Sequence, residues 1–214
     1  DPSANVGIVN VRGLDGNIAV TQKLFNLDLT FRANVTYSKN EINERDEENT
    51  IYKYRLQEGH RIDQARGLVS LGLFKDYEDI RNSPQQTFGT VMPGDIKYKD
   101  VNGDGKVDGT DVVAIGATTR PNLTYGFGLS ARWKGLDINM HFQGVGKSSY
   151  FISGSSVYMF QGGDGWGNVL TSLANSNRWI LGTNEDPNAE YPRLTYGNNS
   201  NNYQRSSFWL KDGS

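Results

Sequence analysis

Cysteine is absent from this 214-residue chain, which excludes a disulfide framework and a thiolate metal site and leaves the redox compartment open. Histidine is scarce: there are only two, His60 and His141, in unrelated contexts. With no cysteine and no G-x-S-x-G elbow, no catalytic constellation can be assembled, and enzyme activity is not expected. Charge of one sign is also lacking. A formal net charge of −2 gives no reason to expect nucleic acid as a partner. Long apolar runs are missing too, since no window approaches the roughly 18 consecutive apolar residues of a membrane helix. That last absence does not exclude a membrane β-barrel, whose strands need an apolar residue only at every second position.

What the chain does have is an acidic loop. Asp100 to Asp111 reads D-V-N-G-D-G-K-V-D-G-T-D, with side-chain oxygens from Asp100, Asn102, Asp104, Asp108 and Asp111 at loop positions 1, 3, 5, 9 and 12. Gly105 stands at position 6, where a twelve-residue calcium loop turns sharply, and Lys106 at position 7 offers its backbone carbonyl. Carboxylates this close repel one another unless a divalent cation lies between them. Asp111 replaces the bidentate Glu usual at position 12, so modest affinity is expected. The spacing predicts a structural calcium ion; the bland alternative is an acidic Asn/Gly turn without metal.

Strand signals flank long irregular connections. Residues 5–22 have strand composition, with Leu14, Gly16, Ile18 and Val20 on one face. A turn near Lys23 to Phe25 leads into a clean alternation, in which Leu27, Leu29, Phe31, Ala33, Val35 and Tyr37 oppose Asp28, Thr30, Arg32, Asn34 and Thr36. The run from Lys39 to Asn49 is too polar to be a core element. Leu68 to Phe74 is a strand candidate, and Thr110-Asp111 is expected to start a short helix over Val112 to Ile115, stopped by Gly116. A hairpin then follows. Leu123, Tyr125, Phe127, Leu129, Ala131 and Trp133 form one apolar set, Lys134-Gly135 the turn, and Leu136, Ile138, Met140 and Phe142 the partner set. His141 falls on the polar face. The stretch after it is rich in Gly, Asn and aromatics, including Tyr158, Phe160, Trp166 and Trp179, and a strand restarts near Ser207. Tyr158, Trp166 and Trp179 are candidates for stacking on a sugar or packing against a partner protein. The alternative is a small core that folds the loop onto itself.

The connections are lopsided. Turns of a few residues follow Gln22 and Trp133, whereas about 80 residues separate Asn40 from Pro121 and about 60 follow Gly144, far beyond ordinary loop lengths. Short turns at one end, long loops at the other and strands apolar on one face fit an outer-membrane barrel, with Tyr37, Tyr125 and Trp133 placed for aromatic girdles. A soluble β-sandwich with one buried face satisfies the alternation equally well. Asp1-Pro2 is neither a start methionine nor part of an apolar signal core, and Phe208 to Ser214 ends where a strand begins, so a piece of a larger chain is expected.

Ordered blocks along the chain carry a family resemblance. Pro93-Gly94-Asp95-Ile96-Lys97-Tyr98-Lys99-Asp100 leads into the acidic loop, followed by Ile115-Gly116, Tyr125-Gly126-Phe127, Lys134-Gly135-Leu136-Asp137 and Phe142-Gln143-Gly144-Val145-Gly146. Then come Asn177-Arg178-Trp179, Tyr191-Pro192-Arg193-Leu194 and Phe208-Trp209-Leu210-Lys211-Asp212-Gly213-Ser214. In this order the set resembles the C-terminal part of SusC/RagA-type TonB-dependent outer-membrane transporters of Bacteroidetes. The resemblance implies an all-β fold, part of a roughly 22-stranded barrel with an N-terminal plug. It also implies a SusD-like surface lipoprotein as lid, energy from the TonB complex, outer-membrane lipid around the wall and oligosaccharide or peptide cargo. The expected organisation is barrel strands over 1–39, a long extracellular loop with the calcium motif over 40–121 and a barrel hairpin over 122–146. A second long extracellular loop over 147–206 and the start of the next barrel strand over 207–214 complete about five strands. The alternative reading is a soluble calcium-dependent carbohydrate-binding β-module. It accounts for the acidic loop and the aromatics but not for the turn/loop asymmetry. A dockerin-like module fits less well, because only one acidic loop is present.

Overall fold

The computed structural model describes residues 7–154, 157–158, 160, 169–175 and 177–214. Two long strands open the chain, β1 (Gly7–Leu24) and β2 (Leu27–Arg45). Short elements follow: β3 (Gln64–Gly67), β4 (Ser70–Leu73), α1 (Tyr77–Arg81), β5 (Gln85–Gln86), β6 (Ile96–Tyr98), β7 (Lys106–Val107) and β8 (Val113–Thr118). A second hairpin is formed by β9 (Leu123–Trp133) and β10 (Leu136–Val145), and β11 (Ser149–Phe151), α2 (Thr171–Ala174) and β12 (Leu210–Asp212) close the chain.

β1, β2, β9 and β10 form one antiparallel sheet in the order β1-β2-β9-β10. Its register aligns the alternations laterally. Val20 faces Phe31, Phe31 faces Leu129 and Leu129 faces Met140; one row on, Ile18, Ala33, Phe127 and Phe142 line up. Phe127 and Phe142 stack with ring centroids 5.1 Å apart. Both hairpin turns lie at the same end, because Leu27 pairs with Trp133 and Trp133 with Leu136. At the second turn Lys134 and Gly135 both have positive φ, 46° and 87°, the type I′ geometry that matches the strand twist. The alternation is thus borne out in register, as one sheet with an apolar and a polar face.

The apolar face has no cover. Leu14, Ile18, Phe31, Phe127, Trp133, Ile138 and Phe142 are all exposed, Phe142 by 54%. A sandwich requires a second layer on this face, and none covers it among the described residues.

Beyond the four-strand region the chain departs from the expectations in several ways. β2 does not stop at Ser38 but continues through the polar run to Arg45, since its backbone keeps pairing with β1 and a strand ladder does not depend on side-chain polarity. Within that run Ile42 is buried and bonds by its backbone to Gly59 and His60. The helix expected over 112–115 is instead β8, preceded by a single 3-10 turn at Gly109–Asp111. Val113 and Ala114 pair with Gly67 and Arg66, so tertiary pairing and β-branched side chains prevail over the helix-start signal. The strand expected from Ser207 is a three-residue piece, β12, paired with β11 outside the four-stranded sheet. Among the described residues, four long strands share the main sheet.

The two long connections are not independent. They share one core of Leu68, Leu73, Ile96, Tyr98, Val107, Trp179, Ala189 and Trp209, drawn from both. Leu68 bridges to Ser206, and the backbone of Leu73 bonds to Pro187. This loop body sits at the end of the sheet opposite the tight turns, fed by β2, β9 and β10.

Candidate functional site

Three regions of the molecule hold chemistry. The first is the polar face of the sheet, where Asn17, Asn34, Gly126 and Gln143 form one row and Ala19, Arg32, Gly128 and His141 the next. The two glycines leave room for neighbours: a Cβ on Gly126 would lie 2.7 Å from Asn34 Oδ1, and one on Gly128 would lie 3.2 Å from His141 Nδ1. Nearer the turns Lys23 lies 3.7 Å from Asp28, and Arg132 donates to Asp137 at 2.7 Å. These pairs are exposed, so each adds little stability, and their effect is to keep that face hydrated.

The second region is the acidic loop. Asp100 accepts from the N–H groups of Gly103 (2.6 Å) and Gly105 (2.9 Å), and both glycines have positive φ, 76° and 84°. Asp104 accepts from Lys106 N–H at 2.8 Å and from the Asn102 amide at 3.0 Å. Asp108 accepts from the N–H and the hydroxyl of Thr110, which hold its carboxyl below the usual carboxylate range. Asp111 is fully buried. Its Oδ1 accepts from the N–H groups of Val101 and Asn102, its Oδ2 from that of Asp108, and with Asp108 it closes a capping box. The hard-oxygen donor set is that of a calcium ligand set. In this conformation, however, the carboxylates turn onto backbone N–H groups, and among the described residues no three His, Asp or Glu side chains converge on a common metal position. Lys106, whose carbonyl belongs to the expected set, lies in the two-residue β7, which pairs with β5.

The third region is the loop body, organised around Asp95, which in the sequence stands out only within the block from Pro93 to Asp100. Asp95 is fully buried. It accepts from Met92 N–H at 2.8 Å, Asn199 at 3.0 Å and Asn202 at 2.9 Å, and Arg193 Nη2 donates to it at 3.1 Å. Arg193 Nε lies 2.7 Å from Oδ1 but off the hydrogen-bond direction, so that contact is an ion pair. Asn201 bonds to Gln86 and to the Ile96 carbonyl, Tyr98 donates to the Asn201 carbonyl at 2.7 Å, and Trp209 Nε1 donates to the Asn202 carbonyl at 2.7 Å. Burial pushes the Tyr98 hydroxyl pKa up.

The aromatic candidates divide. Trp179 is 4% exposed, a core residue with its ring pressed on Gly94, where a Cβ would come within 2.4 Å. Tyr158 is half-buried, stacks on Tyr203 at 4.4 Å and meets Trp209 edge-on at 5.4 Å. Trp166 lies outside the described residues. Trp179 and Tyr158 thus hold the loop body together rather than present free faces.

No family model matches the chain. A curated TonB-dependent receptor of Formosa agariphila is 31% identical over 162 residues, covering 75% of this chain, and the chain spans 15% of that relative's length. Among solved structures, the RagAB peptide importer in its open-open state superposes with a TM-score of 0.63 at 17% identity, over 96% of this chain and 21% of that one. Its closed-closed state gives 0.61 at 19%, over 97% and 22%. The fold likeness covers the sheet and the loop body together, and the sequence likeness covers three quarters of the chain. By sequence the chain belongs to the TonB-dependent receptors, and its fold is that of the matching part of the RagAB importer.

Proposed function

We propose that this chain forms a stretch of barrel wall and the attached loop body of an outer-membrane TonB-dependent importer. In that reading it takes up oligosaccharides or peptides under a SusD-like lipoprotein lid, with energy from the TonB complex. One observation carries the proposal: a four-stranded sheet whose apolar face is continuous and exposed and whose opposite face is polar. Such a face is stable in lipid and a liability in water. Its dimensions agree. Trp133 and Tyr125, both on the apolar face, are separated by eight residues of β9, about 27 Å along the strand. A tilt of about 40° brings this to about 21 Å, close to the roughly 25 Å apolar band of outer-membrane barrels. The loop body at the opposite end from the tight turns would face the outside, where such barrels carry their long loops.

This chain has no cysteine, and any elsewhere in the receptor is first replaced by serine. Single Phe142→Cys and Gln143→Cys variants of the full-length receptor, in outer membranes, are treated with a membrane-impermeant maleimide. Labelling at 143 and protection at 142 is the expected result; equal labelling of both ends the barrel-wall reading. Uptake assays with labelled oligosaccharides and peptides then separate the two cargo classes.

We also propose that the acidic loop takes up calcium as a structural staple, with Asp100, Asn102, Asp104, the Lys106 carbonyl, Asp108 and Asp111 re-aimed inward. The support is the order of oxygen donors and the glycine turn at position 6. Calorimetric calcium titration of the full-length receptor and its Asp104→Ala variant tests this: loss of the binding heat is expected, and unchanged binding removes the proposal.

A further inference from the structure

At the tight turns the apolar face of the sheet ends in a continuous row. Leu24 pairs with Leu27, Leu27 with Trp133 and Trp133 with Leu136, and directly paired residues share a face. Leu24, Trp133 and Leu136 are each about half exposed. Both turns beyond this row carry a side chain that the turn itself does not favour. Phe25 has a φ of 52° and Asn26 no positive φ, the II′ pattern in which glycine is usual at the first position. A bulky side chain there is strained, yet Phe25 is 99% exposed and packs on nothing. Lys134 has a φ of 46°, where asparagine, aspartate or glycine is preferred. Strain of this kind gathers at positions whose side chains serve contacts outside the turn. The charges are as uneven. On the polar face the cations near the turns are neutralised, Lys23 by Asp28 and Arg132 by Asp137. Lys134 forms no ion pair among the described residues. Its ammonium lies over the Trp133 ring, 5.3 Å from the centroid, which puts the cation on the apolar side of the sheet. Phe25 stands about two strand spacings away, roughly 10 Å. An unpaired ammonium at the edge of an apolar row, with an exposed phenyl ring nearby, is complementary to an amphipathic anion.

We propose that this row and its two turn tips form a seat for an anionic phospholipid. Its phosphate lies on Lys134, Phe25 enters the boundary between headgroup and acyl chain, and the chains run from the Leu24–Leu27–Trp133–Leu136 row onto the apolar face. The proposal rests on the barrel-wall reading, in which the short turns lie at the periplasmic end, against a phospholipid leaflet. A zwitterionic lipid carries its own cation beside the phosphate, so Lys134 favours a lipid with net negative charge.

The full-length receptor is placed in phosphatidylcholine vesicles doped with photoactivatable phosphatidylglycerol or, in parallel, photoactivatable phosphatidylcholine. Both lipids carry the reactive group on the acyl chain near the glycerol, and adducts are located by tandem mass spectrometry. Adducts are expected at residues 24–27 and 133–136, with about fivefold more from phosphatidylglycerol at low salt, the effect of one cation near an anionic headgroup. Lys134→Asn, which gives the turn a residue it prefers and so keeps the hairpin, should erase the headgroup preference, and Lys134→Arg should retain it. Phe25→Gly should lower the yield at 24–27 from both lipids while leaving the preference at 133–136. Equal yields from the two lipids in wild type overturn the proposal, as does a preference that survives Lys134→Asn. No lipid adduct at either turn, the result if a protein covers them, overturns it as well. The maleimide pattern at residues 142 and 143, read in the same vesicles, keeps the two readings apart. If that pattern holds without a headgroup preference, only the lipid seat falls; if the pattern fails, both fall.

Discussion

Replacing Arg193 by leucine should release the loop body while leaving the sheet intact. Asp95 is fully buried, and Arg193 is its only cationic partner among the described residues. Without it the carboxylate keeps Met92 N–H and two asparagine amides, which satisfy lone pairs but do not neutralise the charge. Removing one partner of a buried ion pair costs about 3–5 kcal/mol, because the other charge remains desolvated. At about 1.4 kcal/mol per factor of ten, that corresponds to roughly 150- to 5,000-fold more frequent opening of the loop body. Hydrogen exchange on the full-length receptor in detergent reads this directly. The reporting amides are those of Gly94, which donates to Phe74 O at 2.7 Å, Ile96, which donates to Asn202 Oδ1 at 2.9 Å, and Tyr98, which donates to Gln86 Oε1 at 2.6 Å. Amides of β2 and β9 within the sheet are the internal control and should not change. Adding Asp95→Asn to Arg193→Leu removes the stranded charge and should recover part of the protection. Acceleration below fivefold in the single variant, or equal acceleration in the sheet, would refute the assignment of Asp95 and Arg193 as the electrostatic centre of the loop body.

Three further outcomes are expected. Met140→Arg, at the residue that pairs with Leu129 midway between Trp133 and Tyr125, should lower the folding free energy into lipid vesicles by about 2–4 kcal/mol when a urea titration is run, whereas His141→Arg on the polar face should change it by less than about 1 kcal/mol. Asp111→Ala strips an acceptor from three backbone N–H groups; all three are part-buried, so water recovers some of the about 1–3 kcal/mol that each would lose if sealed, and the local cost should be about 2–4 kcal/mol. Faster exchange over residues 100–112 checks this, in EDTA as well as in calcium, because the hydrogen bonds form without an ion. The third outcome concerns acid. Burial raises the Asp79 carboxyl pKa, but hydrogen bonds from Lys97, Lys75 N–H and Ser83 outweigh that and hold it below its ordinary value of 3.8. A carboxylate depressed in the folded state stabilises fully above its unfolded pKa and loses that contribution as pH falls. Protection factors around residues 75–83 and 97, taken against the intrinsic exchange rate at each pH, should therefore be constant down to about pH 4 and fall below it, and Asp79→Asn should remove that fall.

The elements that could be read from the chain were those with local causes. The alternation over 27–37 and 123–133 is a period-two pattern, and wherever such strands pair in register the two faces follow from the residues alone. The two-residue turn at Lys134-Gly135 is equally local, since Gly135 takes a positive φ without strain. Pairing decided the remainder. Val113 to Thr118 carries a helix-start signal yet lies as a strand because Gln64–Gly67 is beside it. The polar run after Ser38 is a strand because β1 is still there to bond with it. Alternation could not choose between a sandwich and a barrel wall, because both need one apolar face. Whether that face is covered is a matter of tertiary structure, and among the described residues it is uncovered. The loop body was hidden for a similar reason: Asp95 meets Asn199 across 104 residues and Asn202 across 107, and no local pattern announces such a contact. Thus the sequence determined the strands, their faces and the oxygen donors of the acidic loop, through period and spacing. The tertiary structure decided which strands are neighbours, where the carboxylates of that loop point and which buried charge holds the two long connections together. Those outcomes depend on hydrogen bonds and ion pairs that exist only once distant segments have met.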